Sequence, residues 1–345
     1  MRLRKFSVLA ASAATAVALG ASAAVAPSAS ADPLNRLSPS GANDWACMPS
    51  AAHPYPVVLV PGTFENMFKN YQVLSPIIKS AGYCVFALNY GEDRDTGVDA
   101  TGPIGDSAKE LRVFVNKVLS ATKAKKVDLV GHSQGGMMPR YFLRFLGGAA
   151  KTDELIGIAP SNHGTQGLIK PMAAADGSTQ ESLAPTGGTA SPDSFANPCQ
   201  ACTDQGAGSK FLTHLNAGGD TVPGPDYTVI STTHDEVVTP YTSQALDGPQ
   251  NRVTNVVIQN LCPTDPIEHD QTPNDPVVAQ LVLNALGRSG PLDKTFQPDC
   301  TALLVSGAGG TPSNTLPEAP LALLLPLAGA GVAAVAIRRR RRTAA

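Results

Sequence analysis

A chain of 345 residues, 43% apolar and 16% charged, is long enough for one large domain around a single core. With the basic ends 1–31 and 319–345 set aside, 18 Lys and Arg face 28 Asp and Glu, a balance near −10 that excludes a basic nucleic-acid footprint. Only 5% of residues are aromatic, and no internal period points to a repeat array or a coiled coil.

The first segment, Met1–Ala31, carries Arg2, Arg4 and Lys5, then an Ala- and Val-rich run, then Ala29-Ser30-Ala31. This is the layout of an export signal with a small-residue cleavage site. The main body, 32–305, follows. Short apolar runs recur along it: Val57–Val60, Tyr83–Leu88, Val127–Val130, Leu155–Ala159, Tyr227–Ser231 and Val253–Ile258. Each is bounded by Gly, Pro or Asn and is apolar nearly throughout, the pattern of strands covered on both faces of a parallel sheet. Helical spacing occupies Ser107–Ala124, with Leu111, Val115, Val118 and Leu119 on one face. Further helices are expected over Gln134–Leu146 and from Pro276 to Leu286, the latter capped by Asp275. Strands alternating with helices predict an α/β fold with a mostly parallel central sheet and right-handed crossovers. Residues 164–208 break the rhythm and read as a cap or lid on the ligand side of the sheet.

Residues 306–318 read as a flexible tether. In 319–345 an apolar run ends in Arg338–Arg342. About 19 residues at about 1.5 Å each would span about 28 Å, so a C-terminal membrane anchor is expected, with the arginines inside.

Six cysteines, Cys47, Cys84, Cys199, Cys202, Cys262 and Cys300, all lie in the body. An even count in an exported chain favours three disulfides, whose pairing the residues leave open. Cys199-Gln-Ala-Cys202 is better taken as a local disulfide than as a redox or zinc motif, because no second pair or nearby His completes a metal site. No metal or organic cofactor is expected.

The chemistry centres on Gly131-His132-Ser133-Gln134-Gly135. The pentapeptide is weak evidence alone. Here it follows a strand and opens a helix, the setting of a nucleophile elbow, where glycines let strand and helix pass closely around a strained serine. A serine nucleophile needs a base, and the base an orienting acid, in the order Ser, acid, His along this fold. Asp235 follows the Tyr227–Ser231 strand, and His269 follows the last strand. Ser133, Asp235 and His269 are therefore the expected triad. His132 is set aside because neighbours at an elbow point apart. His163 precedes the acid and is expected to order the loop or line the pocket. His234 precedes the chosen acid and is expected to face solvent or pack, and His53 and His214 lie in segments with no catalytic pattern, where surface positions are expected. Glu236 and Glu268 are alternative acids, Glu268 disfavoured by its adjacency to the base. One oxyanion donor is expected to be the backbone N–H of Gln134, the other to come from the loop Pro61-Gly62-Thr63-Phe64.

The motifs VVLVPGT, GHSQGG and TTHDEVVTP and the His269 segment, in that order from about Tyr55 to Cys300, resemble the α/β-hydrolase lipases of the yeast lipase B type and the secreted actinomycete lipases. The resemblance implies the same triad. It implies Thr63 and Gln134 as oxyanion donors, with the Thr63 hydroxyl a candidate third donor. It implies the pairs Cys47–Cys84 and Cys262–Cys300, leaving Cys199 and Cys202 for each other. The expected function is an extracellular or surface-held monomeric ester hydrolase acting on an ester or lipid. Acyl transfer or polyester cleavage by the same triad is the alternative, and non-catalytic surface binding a more distant one.

Overall fold

The computed structural model describes residues 36–92, 98–166, 171–173, 179–181 and 199–301. The expected export signal 1–31, the tether 306–318, the anchor 319–345 and most of the cap 164–208 lie outside the described residues. Among the described residues no helix is long and apolar enough to cross a membrane.

The strands are β1 (Val57–Val60), β2 (Val85–Ala87), β3 (Val127–His132), β4 (Thr152–Ile158), β5 (Pro171–Ala173), β6 (Thr179–Glu181), β7 (Asp226–Ser231) and β8 (Val253–Val257). Six of them build one sheet in the order β2-β1-β3-β4-β7-β8, and every pair in it is parallel. β5 and β6 form a separate antiparallel pair that the sequence reading did not foresee.

The helices are α1 (Met67–Asn70), α2 (Leu74–Ser80), α3 (Ile104–Thr122), α4 (Gln134–Phe145), α5 (Gln200–Asp204), α6 (Lys210–Asn216), α7 (Ile258–Leu261) and α8 (Pro276–Leu286). They cover both faces of the sheet. Val58 and Val60 pack with Leu111, Val115 and Val118 of α3 and with Met137 and Phe142 of α4. Val57 and Leu59 point the other way, toward Leu74 and Ile78 of α2 and Leu281 and Val282 of α8. Burial on both faces is why these strands are apolar at every position rather than at alternate ones.

Several boundaries moved. The helix expected from Ser107 begins at Ile104, directly after Pro103, and stops where Lys123 turns left-handed at φ 59°. Tyr83–Leu88 contributes only Val85–Ala87 to the sheet, whereas β4 starts three residues early, at Thr152. The apolar run ending at Ile258 turns there into the short α7. The expected cap of α8 is present: Asp275 accepts from Val277 N at 2.7 Å and Val278 N at 2.9 Å.

Three disulfides join Cys47 to Cys84, Cys199 to Cys202 and Cys262 to Cys300, the pairs that the resemblance implied. Strand order reverses between β1 and β3, so the loops leaving these two strands flank a switch point, where open α/β sheets bind ligands.

Candidate active site

Ser133 stands between β3 and α4 with φ 54° and ψ −122°, a conformation that a non-glycine residue holds only under constraint. The constraint comes from close backbone approach. A Cβ on Gly131 would lie 1.8 Å from Gly135 O, and one on Gly135 would lie 2.0 Å from Val60 O. Neither position tolerates a side chain, so the glycines of the pentapeptide are a packing requirement. The serine is 5% exposed and opens α4, where free N–H groups favour negative charge.

Asp235, in the turn after β7, is brought to His269, which begins a 3-10 turn before α8. His269 Nδ1 lies 2.8 Å from Asp235 Oδ2. Gln244 Nε2 donates to the same oxygen at 2.8 Å, while Oδ1 accepts from Val237 N at 2.9 Å and Val238 N at 2.6 Å. Four donors thus saturate the carboxylate and fix its plane. Ser133 Oγ makes no hydrogen bond to the described residues, so the serine–imidazole link is not closed in this conformation, as is common before substrate binds.

His132 is fully buried and forms part of the scaffold. Gly62 N donates to Asn70 Oδ1 at 3.0 Å, and Asn70 Nδ2 lies 3.1 Å from His132 Nδ1. His132 Nε2 lies 3.0 Å from His269 O. With Asn70 donating, Nδ1 accepts and Nε2 carries the proton that reaches the carbonyl. One neutral imidazole therefore ties the loop after β1, the elbow and the His269 turn together. Burial, aided by the neighbouring His269, holds its pKa well below the usual imidazole value.

Thr63, after β1, donates from Oγ1 to Gln134 Oε1 at 2.6 Å. The backbone N–H groups of Thr63 and Gln134 have no acceptor among the described residues. They remain open to a ligand oxygen. The Thr63 hydroxyl, foreseen as a third donor, already spends its proton on Gln134.

The other histidines fall where the sequence reading left them. His163 orders loops: Nδ1 lies 2.9 Å from Ser243 O and Nε2 lies 3.1 Å from Asp220 Oδ1, and the bond to Asp220 raises its pKa. His234 and His214 are exposed, and His53 lies against Tyr83. Glu236 and Glu268 are exposed and do not reach His269 Nδ1. Sequence reasoning missed Asn70 at the end of α1, Gln205 just beyond α5 and Gln244 in the 3-10 turn Tyr241–Gln244, neutral amides whose roles depend on tertiary contacts. Among the described residues no cluster of His, Cys, Asp and Glu could hold a metal ion.

A triacylglycerol lipase of Pseudarthrobacter phenanthrenivorans is 37% identical over 97 residues, 26% of this chain and 28% of the relative. A triacylglycerol lipase of Burkholderia plantarii is likewise 37% identical over 97 residues, 26% of this chain and 25% of that protein. The match therefore spans about a quarter of these curated relatives. Among solved structures, Aspergillus fumigatus lipase B superposes with a TM-score of 0.57 at 20% identity, over 74% of this chain and 56% of that one. Bacillus licheniformis lipase BlEst2 in its propeptide form gives 0.50 at 16% identity, over 72% and 54%. Likeness at that level establishes the α/β-hydrolase fold. The family model for Lipase (class 2) matches residues 54–282, the stretch that holds the elbow, Asp235 and His269, and the chain belongs to the class 2 lipase family.

Proposed function

We propose that the protein is an exported serine ester hydrolase acting on triacylglycerol or related lipid esters, with Ser133, His269 and Asp235 as nucleophile, base and orienting acid. The observation that carries this reading is the Asp235–His269 pair, 2.8 Å apart and buried beside the strained Ser133 elbow. The lipid substrate follows from family membership and from the triacylglycerol lipases that the chain resembles. Three disulfides and the signal-like 1–31 support export.

In this mechanism His269 Nε2 takes the Ser133 proton as Oγ attacks the ester carbonyl. Asp235 keeps Nδ1 protonated and facing it, so that Nε2 is the free base. The tetrahedral oxyanion accepts from the N–H groups of Thr63 and Gln134. His269 then gives its proton to the departing alcohol. Water, deprotonated by the same imidazole, attacks the acyl-enzyme; the imidazolium returns that proton to Ser133 Oγ as the acid is released. Every step uses protein groups and water.

A fluorophosphonate probe and a short-chain nitrophenyl ester test the proposal together. The expected result is an adduct on Ser133 and ester turnover that Ser133→Ala lowers by about 10⁵ or more, with the fold retained. Undiminished turnover by Ser133→Ala, or labelling elsewhere, would refute it.

A further inference from the structure

Gln205 lies just beyond α5, three residues after Cys202, and is fully buried. Its side chain joins segments far apart in the chain. Nε2 brings two protons to three acceptors: one points at Ala201 O, 3.1 Å away, and the other is shared between Thr63 Oγ1 at 2.8 Å and Gln134 Oε1 at 3.2 Å. Its Oε1 accepts from Ser161 Oγ at 2.8 Å. Its backbone carbonyl accepts from Thr165 N at 3.0 Å. Ser161 and Ala201 O together fix which end of the amide faces Thr63. That in turn fixes Gln134, because a flipped Gln134 amide would set donor against donor.

These bonds constrain the Thr63 hydroxyl. It has one proton, now directed at Gln134 Oε1 2.6 Å away. A hydroxyl that turned this proton to a substrate oxygen would abandon Gln134 Oε1, a buried acceptor, unless another donor already served it. Gln205 Nε2 is that donor: the N–H it shares between Thr63 Oγ1 and Gln134 Oε1 still serves Gln134 Oε1 when the hydroxyl proton leaves.

We propose that Gln205 is a positioning residue for oxyanion stabilisation: it holds Thr63 Oγ1 and Gln134 Oε1 so that the Thr63 hydroxyl proton can swing from Gln134 to the oxyanion without leaving a buried acceptor unpaired. The inference rests on the reading of Ser133 as nucleophile and of the Thr63–Gln134 corner as the oxyanion site. Gln205 touches no substrate in this scheme. It acts through Thr63, and the Cys199–Cys202 disulfide at the start of α5 holds the short helix that presents it.

The test is a set of four full-length proteins, wild type, Gln205→Ala, Thr63→Val and the double variant, with kcat and KM measured on a soluble short-chain nitrophenyl ester. Gln205→Ala is expected to lower kcat about tenfold, a fraction of what loss of a whole oxyanion donor costs, with KM changed less than about twofold. In the Thr63→Val background the same change is expected to cost nothing further. An equal loss in both backgrounds would make Gln205 a structural residue only and overturn the proposal, as would an unchanged kcat in the single variant. Gln205→Glu keeps the side-chain shape and serves if the alanine variant does not fold. Ionised, the introduced carboxylate can only accept, so kcat falls. As pH drops and it gains a proton to donate, the ratio of variant to wild-type kcat is expected to rise, and a ratio flat with pH counts against the proposal. A wild-type chain without ester turnover, or turnover that Ser133→Ala leaves intact, would instead remove the underlying reading, and this inference with it.

Discussion

Gln244 and His269 meet on one oxygen: Asp235 Oδ2 accepts from Gln244 Nε2 at 2.8 Å and from His269 Nδ1 at 2.8 Å. Gln244 is fully buried, and its backbone carbonyl accepts from Asn162 Nδ2 at 2.6 Å, so the donor that steadies Asp235 is itself held by the loop after β4. Removing it frees the carboxylate to rotate about the bonds to Val237 and Val238 and loosens the aim of the imidazole. Gln244→Ala is expected to lower kcat about tenfold, against about 10⁴ for Asp235→Asn, which would disturb the tautomer itself. Steady-state rates on a soluble ester check the order, and Gln244→Ala at wild-type rate would show that the backbone donors suffice.

His132 supports a different kind of prediction. It is neutral because it is buried, with the nearby His269 adding to the effect, and its folded pKa lies well below 6.5. The unfolded chain therefore binds the extra proton first as pH falls. Its contribution to stability is complete above about 6.5 and shrinks as pH drops below that value. His132→Phe should cost about 2–3 kcal/mol at neutral pH, because it breaks the link to Asn70 and leaves His269 O served by Thr272 alone. It should also flatten the acid limb of the stability profile. Urea melts between about pH 5 and 8 measure both effects. A variant as acid-sensitive as the wild type would show that other groups set that limb.

What the sequence made legible follows from where each determinant lies. Ser133 could be found because its constraint is local: Gly131 and Gly135 flank it within the pentapeptide, and their close approaches are to the adjacent elbow and to β1. Asp235 and His269 could be found because each follows a strand whose apolar run is itself visible. Gln205 and Gln244 carry no such mark. Each is a neutral amide at the end of a short helical turn: Gln205 meets Thr63, far away in the chain, and Gln244 reaches Asp235 from a turn that Asn162, on a distant loop, holds through its backbone. The strand edges shifted for a related reason. Thr152–Glu154 joins β4 although Asp153 and Glu154 are charged, because the pairing of Glu154 with Asp226 continues the ladder that Leu155 begins. Only tertiary pairing reveals that extension.

The disulfides should separate stability from activity. The Cys47–Cys84 bridge closes a separation of 37 residues and Cys199–Cys202 one of 3. On loop-closure entropy the first contributes about 4 kcal/mol and the second about 2. Replacing Cys47 and Cys84 by serine should therefore lower the melting temperature more. Replacing Cys199 and Cys202 should lower kcat more, through α5 and Gln205. Calorimetry and ester kinetics on the two double variants test the crossover. If the same variant proves worse in both measurements, the long-range bridge and the local one do not have these separate roles.

The end of the sheet away from the elbow carries a titration of opposite sign to that of His132. Glu154 is buried at the start of β4, and burial pushes its carboxyl up to about 8, despite the hydrogen bond from Thr228 Oγ1 at 2.6 Å. Asp226 and Asp153 add to the rise, and Asp128 on the next strand is raised by burial as well. A carboxyl raised on folding binds its proton more tightly in the native state than in the unfolded one. Its burial is tolerated below about pH 4.5, and stability is lost as pH climbs from 4.5 toward 8, where the native group must ionise in place. Glu154→Gln keeps an acceptor for Thr228 and removes the charge. The variant should be more stable than the wild type by about 1–3 kcal/mol near pH 9, with little difference near pH 4. Denaturation midpoints across that range give the comparison. Parallel profiles for the two proteins would place the alkaline loss of stability elsewhere, with Asp128 the next carboxyl to replace.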